Sequence, residues 1–158
     1  MKHILLTRGK EALVDDEDYE YLMQWKWSCG KRGYAVRKQT LHGRMEWPLM
    51  HREVAQRMGL STESEIDHRN RNRLDNRRCN LRVANATQQR ANTNRRRDNQ
   101  SGYRGVYWHR AAGKWAAQIA AGRHTTYLGV FRDKVAAARA YNKAALEHFG
   151  EFAVLNPI

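Results

Sequence analysis

The sequence predicts an α+β protein: a small β-rich N-terminal region, then a module of strand, basic loop, strand and helix, then a three-stranded antiparallel sheet packed on one helix. Three observations carry this expectation. Short alternating runs punctuated by glycines fill the first fifty residues. An Asp67-His68 pair opens an arginine- and asparagine-rich loop that closes on Asn80-Leu81-Arg82. After Ser101, three β-type runs separated by Gly113 and Gly122 lead into an alanine-rich stretch. At 158 residues the chain has room for two small modules, each below the size at which a single core becomes comfortable. The expected division is residues 1–94, with a motif core at 50–94, a basic linker at 95–100, and a second module at 101–158.

The elements follow in order. Ile4 to Thr7 and Ala12 to Val14 read as strands around an Arg8-Gly9-Lys10 turn. Asp15-Asp16-Glu17-Asp18 offers capping oxygens and negative charge to the front of a helix over Tyr19 to Gln24. Trp25 to Cys29 and Tyr34 to Arg37 alternate about Gly30 to Gly33 as a hairpin does, and Met50 to Met58 reads as a short helix stopped by Gly59. Ile66 begins a strand. Asn80 to Ala84 is its partner, and Asn85 caps a polar helix over Ala86 to Asn94. Tyr103 to Trp108, Lys114 to Ala120 and Thr125 to Phe131 are the strands of the second module. Asp133 caps a helix over Lys134 to His148 with Val135, Ala138, Tyr141, Ala145 and Phe149 on one face. Packing of sheet against helix is the plain reading of Trp108 and Trp115, and is the favoured one for Trp115.

The formal charge is +13 and unevenly spread: the first fifty residues carry nine Lys/Arg against seven Asp/Glu, the remainder twenty against nine. Such an excess implies nucleic acid as partner. An anionic membrane fits poorly, because no apolar run approaches the ~20 residues of a spanning helix, and the start of the chain breaks off too soon for a secretory signal. The expectation is a soluble, intracellular protein that is not secreted. Cys29 and Cys79, fifty positions apart, make neither a disulfide framework nor a zinc knuckle, so no structural zinc is expected.

An acid beside an imidazole is the minimum kit for holding a hard divalent cation and activating water next to it. The arginines that follow, Arg69, Arg71, Arg73, Arg77 and Arg78, would hold the phosphodiester. His68, Asn76 and Asn80 stand at offsets of 0, 8 and 12, with Leu81-Arg82 following. On these residues the stretch from about Met50 to Asn94 resembles the HNH homing and phage endonucleases and their ββα-metal motif. The resemblance implies that His68 is the general base and Asp67 a metal ligand. Asn80 would tie the loop to the base, and Asn76 would be a second stabilising amide. It also implies one Mg²⁺ or Mn²⁺ per site and a phage-infected or bacterial cytoplasm, close to the nucleoid. Two positions depart from the pattern. Gln89 stands where the second metal ligand is usually His or Asn, with Asn92 as a substitute, and Arg71 and Arg73 stand where relatives carry glycine. Asn70 and Asn72 are expected to supply the left-handed backbone instead. His51 is read as a structural histidine behind the site, with a site role as the alternative. His3, His42, His109, His124 and His148 are read as non-catalytic.

Ser101-Gly102-Tyr103-Arg104-Gly105-Val106, Gly113-Lys114-Trp115, Leu128-Gly129-Val130-Phe131, Ala136 to Tyr141 and Ala153-Val154-Leu155-Asn156 resemble the AP-2/ERF DNA-binding domain over nearly its full length. The resemblance implies a sheet lying in the major groove, a geometry that B-DNA permits. Arg104 would face guanine, and Tyr107, His109, Lys114, Gln118 and Tyr127 would stand at other contacting positions. The Arg95-Arg96-Arg97 run reads equally as a solvated tether and as a clamp along the DNA backbone. Together these residues point to a monomeric, metal-dependent endonuclease acting on double-stranded DNA. The second reading is a catalytically inactive DNA-binding protein or transcriptional regulator.

Overall fold

A computed structural model of the chain describes residues 1–61, 63–93 and 99–158. The expectation placed on Arg95, Arg96 and Arg97 lies outside the described residues. The protein is a mixed α+β fold of small antiparallel sheets and helices that forms two compact units, Met1–Asn85 and Ala86–Ile158.

The first unit contains four antiparallel strand pairs and two helices among its described residues. Strands β1 (Lys2–Leu5) and β2 (Glu11–Val14) pair across a turn in which Arg8 and Gly9 both have positive φ. Helix α1 (Asp16–Leu22) follows, with Asp15 at its N-cap. The acidic run does something other than cap. Asp15 makes no side-chain cap bond, and its Oδ2 accepts the Arg78 backbone N–H at 2.7 Å. Asp18 is buried and accepts from Arg57 Nε at 2.6 Å and Arg78 Nε at 2.7 Å. Asp15 is thus engaged by the backbone of the basic loop, and Asp18 by guanidinium groups, which are strong donors to a carboxylate.

The expected hairpin shrinks to two-residue strands, β3 (Ser28–Cys29) and β4 (Ala35–Val36). A further hairpin that the sequence reading left out, β5 (Gln39–Leu41) with β6 (Arg44–Glu46), turns on His42 and Gly43, both at positive φ. Helix α2 (Met50–Arg57) ends before Gly59, whose φ of +74° suits a residue without Cβ. Strands β7 (Glu65–His68) and β8 (Leu81–Ala84) pair with His68 opposite Leu81 and Asp67 opposite Arg82. The core gathers Ile4, Val14, Leu22, Trp27, Met50, Val54, Ile66 and Leu81. Burial of Ile66 and Leu81 in that core sets the phase of the hairpin.

The second unit opens with α3 (Ala86–Ala91), shorter than the expected helix to Asn94. Strands β9 (Val106–His109), β10 (Lys114–Ala121) and β11 (His124–Phe131) form a sheet in the order β11-β10-β9. Helix α4 (Lys134–Phe149), capped by Asp133 Oδ1 on the Ala136 N–H at 2.7 Å, packs on it. Its buried positions are Ala137, Ala138, Tyr141, Ala144, Ala145 and Phe149, whereas Val135 is only half-buried. Gly105, at φ +70°, lies so close to the Tyr141 ring that a Cβ has no room. Trp115 packs toward the helix as expected. Trp108 meets it edge-on at 5.3 Å but remains 49% exposed, so it covers the sheet's rim and is not core.

Candidate active site

His68 is the last residue of β7, where pairing with Leu81 and the packing of Ile66 two positions earlier turn its imidazole into the protein. It is 4% exposed. Its Nε2 lies 3.2 Å from Asn76 Oδ1. The Asn76 amide is oriented by its own donors, since Nδ2 reaches Leu74 O at 3.3 Å and Met50 Sδ at 3.4 Å. The oxygen therefore faces His68, Nε2 carries the proton, and the basic lone pair sits on Nδ1. A side-chain amide, that of Asn76, thus fixes the ring at Nε2. Burial is the largest influence on the His68 imidazole and lowers its pKa, against the Asn76 bond and the carboxylates of Asp67 and Asp75, which raise it. The ring is neutral at pH 7.

The loop from Arg69 to Arg77 is held from both ends by Asn80. Its Oδ1 accepts the Asn70 N–H at 2.9 Å, its backbone oxygen accepts the Arg69 N–H at 2.9 Å, and its Nδ2 donates to Asp75 O at 2.7 Å. Strand β2 adds a third anchor through Leu13, which bonds Leu74 O and the Asn76 N–H at 2.8 Å each. The left-handed residue in the loop is Arg71, at φ +64°, and not Asn70 or Asn72. Those asparagines turn the chain through their side chains instead: Asn70 Oδ1 accepts the Asn72 N–H at 2.9 Å and Asn72 Oδ1 the Leu74 N–H at 3.1 Å.

The five loop arginines divide. Arg69 and Arg71 lie at the exposed edge. Arg73 sits 4.8 Å over the Tyr34 ring and donates to Arg32 O at 2.6 Å. Arg77 and Arg78, expected on phosphate, are engaged by acids. Arg77 forks onto Asp75 at 2.8 and 2.7 Å, while Arg78 binds Asp18 and, at 2.7 Å, Glu17. For Arg78 sequence spacing could not show this, because the acids of α1 come from about sixty residues away, whereas the Asp75 partner of Arg77 is only two positions off.

Asp67 Oδ2 lies 3.1 Å from both Nε and Nη2 of Arg82, directly across the hairpin, and both side chains are largely buried. Among the described residues no group of three His, Cys, Asp or Glu converges as a metal site. What the hairpin offers a cation is one hard carboxylate beside a neutral imidazole, which suits an ion that keeps most of its water. Gln89 is half-buried in α3 and Asn92 buried just beyond it, both in the second unit.

One neighbour carries more than the sequence showed. His51 is 5% exposed, its ring is 4.9 Å from that of His68, edge to face, and its Nδ1 has no hydrogen-bond partner among the described residues. Burial, reinforced by His68 and Arg52, pushes its pKa down to about 3. It is a neutral ring packed behind His68, with Tyr34 completing the cluster at 5.1 and 5.9 Å.

In the second unit, strand alternation puts Tyr107, His109, Lys114 and Gln118 on the face away from α4. Tyr127 joins them because the register skips Leu128, so that Gln118 faces Tyr127 while Ala117 faces Gly129 at φ +112°. His109 Nδ1 accepts the Ala112 N–H at 3.2 Å. Arg104 is directed elsewhere: its guanidinium donates to Thr93 O at 2.8 Å, Thr93 Oγ1 at 2.9 Å and Arg90 O at 3.4 Å, closing the C-terminal end of α3.

No helix of the described residues is long and apolar enough to cross a membrane. No protein-family model matches the chain, and no solved structure does. The chain is similar to a protein of Acanthamoeba polyphaga mimivirus described as an uncharacterized HNH endonuclease, at 30% identity over 159 residues, covering 98% of this chain and 80% of that protein. That likeness runs through the whole of the Asp67 to Asn80 loop and its hairpin, and the chain belongs to the HNH endonuclease family.

Proposed function

We propose that the protein is a metal-dependent DNA endonuclease in which His68 removes a proton from water and Asp67 helps hold Mg²⁺ or Mn²⁺. The carrying observation is the held imidazole: the His68 ring is buried and its Nε2 lies 3.2 Å from Asn76 Oδ1, an arrangement that supports a proton on Nε2 and a base at Nδ1. Asn80 holds the loop around that ring, and Arg69, Arg71 and Arg73 would take the phosphodiester. When bound, the ion would stabilise charge on phosphorus and on the departing oxygen. Asp67 would be its carboxylate ligand, with water completing the coordination. Hydrolysis with the 3′ oxygen leaving gives 5′-phosphate and 3′-hydroxyl ends.

The functional division we propose is 1–94 for the nuclease module, 95–100 for a basic linker and 101–158 for an AP-2/ERF-like module that binds double-stranded DNA. A three-stranded sheet on one helix, with Tyr107, Lys114, Gln118 and Tyr127 on the open face, supports that role. Arg104 is the exception, since in the free protein it is bound to α3.

A second reading, a DNA-binding protein without nuclease activity, draws on the Asp67–Arg82 pair, in which the carboxylate proposed as metal ligand is already neutralised. Supercoiled plasmid with Mg²⁺ or Mn²⁺ separates the two. Relaxation or linearisation that disappears in His68→Ala supports the enzyme, and binding without cutting supports the alternative.

A further inference from the structure

We propose that a cleft in the first unit, walled by Tyr34, Trp47 and Leu49 and with a volume of about 550 Å³, binds an unpaired nucleobase next to the phosphate presented to His68. The proposal rests on the nuclease reading and adds to it a preference for distorted or locally unpaired DNA.

The volume falls within the range of pockets that take small organic ligands, ~300–1,000 Å³. The walls are apolar and aromatic. Trp47 is 56% exposed, so its ring is open to a partner. Aromatic rings of this kind take any base by stacking, because every base has a π-face.

The rim is cationic. Arg8, Lys31 and Arg32 border the same cleft, so an apolar floor is combined with positive charge. A nucleotide has that complement: a flat apolar base joined to an anion. A neutral apolar ligand would not use the charge, and a bare anion would not use the rings. Arg8 adds an independent sign. It stands at φ +65°, ψ 32° in the β1–β2 turn, a conformation that disfavours any residue with a Cβ. Glycine would be easier there, so the turn carries a long cationic side chain at a point of backbone strain.

The cleft also adjoins the catalytic ring. Tyr34 is a shared wall, with its ring 5.9 Å from that of His68, and Arg73 lies over Tyr34 while bonding Arg32 O at the rim. A phosphate beside His68 and a base in the cleft would then belong to the same or adjacent nucleotides. A stacked, paired base shows only its edge, so occupancy requires a base already unpaired or turned out of the helix.

The test uses the full chain in EDTA, where no cutting occurs. Anisotropy compares a paired duplex with the same duplex bearing one bulged 2-aminopurine. The expected result is about tenfold tighter binding of the bulged duplex, within the range that base–aromatic stacking provides, with 2-aminopurine emission quenched on binding. Trp47→Ala and Arg8→Gly should each erase most of that preference; the second relieves backbone strain and so keeps the fold. Equal affinity for the two duplexes, or a preference that survives Trp47→Ala, overturns the proposal. Plasmid cutting is scored separately. Cutting without bulge preference removes only the cleft, and bulge preference without cutting removes only the nuclease reading.

Discussion

Replacing Asp18 with Asn tests whether distant acids, and not solvent, hold the end of the basic loop. The Asp18 side chain is 1% exposed and accepts Arg57 Nε at 2.6 Å, Arg78 Nε at 2.7 Å and Arg78 Nη2 at 2.9 Å. Burial opposes its charge, but the bonds from Arg78 and Arg57 outweigh burial and hold the carboxyl below its ordinary value. Asparagine keeps the shape, loses the charge and turns a donor toward a guanidinium. Breaking one side of a buried pair costs about 3–5 kcal/mol. Arg57 and Arg78 are 33% and 26% exposed and regain some hydration, so the low end applies. For a unit of this size, a loss of ~3 kcal/mol lowers Tm by more than about 10 °C. Thermal unfolding followed by circular dichroism measures it at pH 7. Because the folded pKa lies below the unfolded one, the stabilisation is complete above about pH 4 and is lost as pH falls through the folded value. The gap between wild type and variant should therefore narrow at pH 3. A drop in Tm under about 3 °C at pH 7 would refute the reasoning.

Other outcomes follow from the same geometry. His68→Ala should abolish plasmid cutting while leaving DNA affinity nearly intact, since His68 brings no positive charge to phosphate; wild-type cutting by His68→Ala would sink the assignment of the base. Gly105→Ala should destabilise the second unit by about 3 kcal/mol or more, through contact with Tyr141 combined with left-handed strain, read as a lower urea midpoint. Lys114→Ala should weaken binding to all duplex sequences alike and reduce the salt slope of log K by about 1; an unchanged slope would remove Lys114 from the phosphate contacts.

Much of the architecture was legible in the order of residues. Gly59 and Gly150 ended their helices, Asp133 capped α4, and the offsets of His68, Asn76 and Asn80 marked a loop closed by a hairpin. These are local signals, in which the responsible atoms lie within a few turns of chain. The β5–β6 hairpin was not legible, because its turn uses His42, a weak signal for positive φ.

The sequence by itself determined the chemistry available: an acid beside an imidazole, a basic loop, and a sheet with aromatic and cationic positions. Only the tertiary structure decided which of those side chains face outward. Arg77 and Arg78 looked like phosphate ligands, yet they meet Asp75, Glu17 and Asp18; Arg104 looked like a base reader, yet it closes α3. A charged side chain commits to whichever opposite charge or carbonyl folding brings within about 3 Å; Asp75 lies two positions from Arg77, but the approach of Asp18 to Arg78 depends on long-range packing, which residue spacing does not encode.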